Sequence, residues 1–78
     1  MKPVEISSVD DLVRVKTTEM YINQYGDIYT KNFKDDNYTL IANIKDDTDF
    51  IKSCYDSLKI AYKSFDVIYI NKHKEVRK

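Results

Sequence analysis

Between residues 48 and 65 the apolar side chains Ile51, Cys54, Tyr55, Leu58, Ala61, Tyr62 and Phe65 recur at steps of three and four, the spacing of one face of an α-helix. Lys52, Asp56, Lys59 and Lys63 fall on the opposite side, so the helix has one dry and one wet face. Asp46, Asp47 or Thr48 can cap its start, and the carboxylates at 46, 47 and 49 lie near the positive end of its dipole. No other segment repeats this period. A chain of 78 residues holds one core, so a lone helix has to bury its stripe against something that is not helical.

The remaining apolar residues supply that partner by alternating as strands do. Ser7, Ser8, Asp10 and Asp11 offer the capping groups of a helix start, but Val13, Arg14, Val15 and Lys16 alternate, which predicts a turn followed by a strand over 12–22. Residues 23–27, with the only glycine at Gly26, predict a hairpin turn in which positive φ is needed. A second strand is expected over 28–33, an Asx-rich turn over 34–37, and a third strand over 38–44 with Tyr38, Leu40, Ala42 and Ile44 on one face. After the helix, residues 67–70 are too few for another helix and too apolar for an exposed loop, and predict an inner strand. The expected fold is α+β, a small antiparallel sheet of four strands with the helix packed on one face, in the order β-β-β-α-β. A fifth, edge strand over 3–6 would precede them. Residues 1–78 form a single domain with a basic C-terminal tail over 72–78.

Charge and composition remove several classes of function. Thirteen Lys or Arg stand against thirteen Asp or Glu, whereas dedicated duplex binders are strongly basic and nucleic-acid mimics strongly acidic. The positive charge gathers at the end, where residues 51–78 carry seven basic side chains and three acidic ones. A single cysteine cannot close an internal disulfide, and the N-terminus lacks the basic start and apolar run of a secretory signal, so a reducing, cytoplasmic setting is expected. The longest apolar run, 67–70, is far short of the roughly 18–20 residues of a membrane span, and no membrane partner is expected. Eleven Lys, nine Ile, seven Tyr and five Asn against two Ala and two Arg mark a bias toward AT-rich codons, as in a low-GC bacterium, its phages or its plasmids.

No catalytic or cofactor constellation can be written. His73 lies between two lysines with no carboxylate or nucleophile near it in sequence, and Cys54 sits on the apolar stripe, where burial keeps a thiol protonated and inert. One Cys and one His cannot build a zinc cage. The run 46–49 resembles the opening of a calcium loop but lacks its glycine and its bidentate glutamate, and one glycine allows no phosphate loop. The expectation is a protein with no cofactor and no enzymatic activity, which binds another protein or a second copy of itself. An inhibitor or modulator of a host defence protein, encoded by a phage or mobile element, fits the size, the tyrosine content and the codon bias.

Register reasoning places the partner surface. If residue 33 opposes Tyr38, Lys31 lies beside Leu40 and Tyr29 beside Ala42, so these face the helix with Met20 and Ile22. Tyr21, Ile28, Thr30 and Ile41 then face away, and one helix cannot cover both sides of a sheet. Those four are the expected partner-binding residues. The alternative function is nucleic-acid binding by the basic C-terminal third, with Lys72, Lys74, Arg77 and Lys78 on phosphates and strand tyrosines stacking unpaired bases.

Overall fold

The computed structural model describes residues 2–15, 17, 19–32, 34, 37–61 and 67–73. Strand β1, Val4–Ile6, is followed by a 3-10 helix, Val9–Arg14, then by β2, Met20–Ile22, β3, Asp27–Lys31, and β4, Tyr38–Ile44. Helix α1, Thr48–Ala61, and β5, Val67–Tyr69, complete the order. The α+β class is confirmed. The sheet has five strands in the order β1-β4-β3-β2-β5.

The sheet is mixed, which corrects the antiparallel expectation. Its centre is the meander β2-β3-β4, antiparallel because short turns can join only antiparallel neighbours. The two outer strands are brought in by longer connections and pair in parallel, β1 on β4 and β5 on β2. Strand β5 is therefore an edge strand, where an inner one was expected. The N-terminal edge strand expected over 3–6 is present as β1.

Residues 9–14 correct the strand expected over 12–22. The Asp11 carboxylate accepts hydrogen bonds from the backbone N–H groups of Ser7 and Ser8, at 2.9 and 3.1 Å, which closes a helical start. Those two N–H groups hold its carboxyl below the usual carboxylate range. The resulting 3-10 turn drops Leu12 and Val15 into the core, which the alternating pattern would have put on a strand. At the main helix, Asp47 is the cap: its side chain accepts from the Phe50 N–H at 3.1 Å and its carbonyl from the Ile51 N–H at 2.8 Å.

One β-bulge decides which face each residue occupies. Ile28 pairs with Ala42 and Tyr29 with Leu40, so Ile41 is an extra residue in β4 with no partner in β3. The bulge shifts the alternation by one. Ala42 and Ile44 face α1, while Tyr38 and Leu40, four and two residues upstream of Ala42, turn to the other side with Tyr29. Beneath the helix, Ile6, Met20, Ile22, Ile28, Ala42 and Ile44 meet Ile51, Cys54 and Leu58 in one apolar cluster. Gly26 lies under α1 at φ +83°, and a Cβ there would come within 2.8 Å of the Ile44 Cβ and 3.0 Å of Ile51. Its lack of a side chain thus serves the turn and the helix–sheet contact together.

Candidate docking surface

The face of the sheet away from α1 is built from aromatic and polar residues. Tyr38 meets Tyr21 and Tyr29 edge to face, with ring centroids 5.1 and 6.3 Å away. The Lys72 ammonium lies 4.7 Å from the Tyr29 ring centroid and 5.1 Å from that of Tyr38. Tyr21 hydrogen-bonds the Glu19 carboxylate; that bond, then burial, pushes its phenol up to about 12.

At the turn end of this face sits a fully buried carboxylate, Asp27. It accepts from the Asn43 amide at 3.0 Å and the Asn23 amide at 3.3 Å. The Asn23 side-chain oxygen in turn accepts from the backbone N–H groups of Tyr25 and Asp27, at 3.0 and 2.9 Å. A buried carboxylate is tolerated only when so surrounded, and this one ties β4 to the β2–β3 turn.

The expected partner residues are thereby separated. Tyr21 is on the outer face as expected, but only 9% of it is exposed. Ile28 is 0% exposed and lies in the core, because the first hairpin pairs Ile22 with Ile28 and so sets Ile28 on the same face as Ile22, where an opposition of Asn23 to Ile28 would have turned it outward. Thr30 is half-buried on the helix side, 3.3 Å from the Thr17 hydroxyl. Ile41, the bulge residue, is half-buried and packs against the core. The surface expected from these four does not form. Of the expected nucleic-acid contacts, Lys72 stands over the tyrosine rings; Lys74, Arg77 and Lys78 lie outside the described residues, as do Phe33, Tyr62 and Phe65.

Among the described residues, nothing pairs with the outer edge of β5. Its sequence Val67-Ile68-Tyr69 carries no charge and no proline, and Ile68 and Tyr69 are 37% and 51% exposed. Beside it runs an apolar groove of about 260 Å³ lined by Ile22, Asn23, Gln24, Thr48, Lys52, Tyr55 and Tyr69. The Tyr55 and Tyr69 rings meet edge to face at 6.2 Å across its wall. Such a lining offers aromatic and aliphatic surface with one cation, a binding chemistry. Sequence reasoning missed this site because it took 67–70 for an inner strand, although the absence of any charge in that run was the visible sign.

Cys54 is fully buried, and burial pushes its thiol up, which removes thiolate character. Among the described residues no group of three or more His, Cys, Asp or Glu could hold a metal ion, and no helix is long and apolar enough to cross a membrane. No family model, curated protein or solved structure matches this chain.

Proposed function

We propose that this chain is a non-enzymatic protein-binding module that receives its partner along the β5 edge and the groove beside it. The observation that carries this reading is the edge itself. Strand β5 ends the sheet with exposed apolar side chains and none of the lysines, prolines or bulges that ordinarily blunt an edge. An extended partner segment added there would gain main-chain hydrogen bonds from β5 and set alternate side chains toward the groove. A phage- or element-encoded inhibitor needs only to occlude a host protein, and such an edge suffices for that.

The nucleic-acid reading draws less support. Base stacking requires open ring faces, whereas Tyr29 is buried and Lys72 stands over Tyr29 and Tyr38.

The test is a pull-down from the native host with the parent chain, an Ile68→Lys/Tyr69→Lys variant and a Val13→Lys control on the exposed side of the 3-10 helix. All three should melt alike. The β5 variant should lose the protein that the parent and the control retain. Retention of that protein by the β5 variant, or sub-micromolar binding of single-stranded nucleic acid by the parent at physiological salt, would overturn the proposal.

A further inference from the structure

The sheet ends in two parallel edge strands of three residues each, and they are held by different means. At one edge β1 lies on β4, and its last residue, Ile6, is 1% exposed and belongs to the apolar cluster under the helix. The Lys45 N–H donates to the Ile6 carbonyl at 2.8 Å, so a buried side chain and a backbone bond pin that edge at one residue. At the other edge β5 lies on β2 with a matching bond, from the Ile70 N–H to the Ile22 carbonyl at 2.9 Å. No residue from 67 to 73 is buried as Ile6 is. Val67 and Ile70 are half-buried, Val67 packing on the core from its margin, and Ile68, Tyr69, Asn71 and His73 are exposed. Burial of apolar area is what holds a short strand down, because each backbone bond exchanged for one to water gains little.

In place of a buried anchor, this segment has Lys72. The strand order puts β2 between β5 and β3, so the ammonium that stands over Tyr29 of β3 and Tyr38 of β4 reaches across β2 to do so. The contact ties the end of the segment to the antiparallel centre of the sheet on the face away from α1. On the helix side the tie is the edge-to-face contact of Tyr69 with Tyr55. The strand beneath is no such margin: Met20 and Ile22 of β2 are fully buried and Tyr21 nearly so. A segment that buries so little opens at a smaller free energy than the domain as a whole.

We propose that residues 67–73 form a strap that opens from β2 ahead of the rest of the sheet, with the Lys72 ammonium as its latch. Closed, the strap presents the β5 edge and the Tyr69 wall of the groove. Open, it withdraws both and bares the backbone edge of β2. The charge at position 72 thereby controls docking; that consequence rests on the reading of β5 as the docking edge, whereas the opening is a property of the chain alone.

Native-state hydrogen exchange on the full chain, with no partner present, tests it. The Ile70 amide should be less protected than the Lys45 amide at the other edge, and its exchange should respond little to low urea, because the opening exposes little surface. Lys72→Gln should speed exchange at Ile70 about two- to fivefold, the range for loss of a partly exposed cation–π contact, and Lys72→Arg should stay near the parent. An Ile70 amide as protected as that of Lys45 would overturn the strap. Exchange at Ile70 that Lys72→Gln leaves unchanged, or that Lys72→Arg raises equally, would overturn the latch. The docking edge is judged separately, by whether the Ile68→Lys/Tyr69→Lys variant releases the protein that the parent retains.

Discussion

Ile28 and Tyr29 are adjacent in β3 and both are buried, yet they lie on faces that hold together by different physics. Ile28 sits under α1 among Ile22, Ala42 and the helix stripe, where burial of apolar area and close packing supply the stabilisation. Tyr29 sits on the other face among tyrosine edges, an ammonium and a network of asparagines around Asp27, where stabilisation comes from directed contacts. The first kind is large and tolerant of detail, and the second is a sum of small items that each require geometry. Substitutions on the two faces should therefore differ in size before they differ in anything else.

The largest effect is expected at Ile28. A lysine there would put an unpaired charge among apolar side chains, costing more than the roughly 5 kcal/mol that a domain of this size has in reserve. Ile28→Lys should lack a cooperative melt, and a native-like circular dichroism spectrum from it would mean that the face assignment around the bulge is inverted. Leu58→Ala comes next. Leu58 is 1% exposed at the middle of the helix stripe, and the truncation should cost roughly 2–5 kcal/mol, read as a fall in denaturation midpoint at unchanged slope.

These sites also show how far the sequence could be read. The start of α1, its buried Ile51, Cys54 and Leu58, the span of β4, and the need for Gly26 were all legible, because each follows from local periodicity or local backbone chemistry. What was not legible depends on partners distant in sequence. The parallel pairings of β1 with β4 and β5 with β2 leave no local trace, since the same short apolar run serves either direction. The bulge at Ile41 was invisible for another reason: alternation in 38–44 looks unbroken on paper, and only pairing with β3 reveals the extra residue. Together with the pairing of Ile22 with Ile28 in the first hairpin, that residue moves Ile28 into the core and turns Tyr29 and Leu40 away from the helix, against the expected faces. At 9–14 the signals conflicted. The Ser7, Ser8 and Asp11 start signature prevailed over four alternating residues because its hydrogen bonds are satisfied within the turn itself.

On the polar face the effects shrink. Lys72→Gln leaves a polar side chain one atom shorter and removes the charge over Tyr29 and Tyr38, a contact worth about 0.5–2 kcal/mol depending on how far it is desolvated. Lys72 is half-buried, so a loss near 1 kcal/mol or less is expected, a drop of roughly 4–8 °C in melting temperature at most. Lys72→Arg should restore most of it, because a guanidinium also stacks on aromatic faces. Equal melting of the parent and Lys72→Gln would show that the rings are ordered without the ammonium.

The smallest effect is a titration. The Tyr21 phenol donates to the Glu19 carboxylate, and this bond, reinforced by burial and by the carboxylate's negative charge, raises its pKa from 10.0 to about 12. Folding thus favours the protonated phenol, so its contribution to stability is fully present below pH 10 and is lost as pH rises through about 12. Glu19→Ala removes both the acceptor and the charge, and in that variant Tyr21 should ionise closer to the ordinary tyrosine value. Following tyrosinate absorbance in both proteins, with circular dichroism to confirm that each remains folded, isolates the shift of one ring among seven. Superimposable curves would mean that Glu19 does not hold the Tyr21 hydroxyl. The ordering of the polar face would then rest on the tyrosine edges, Lys72 and the Asp27 network alone.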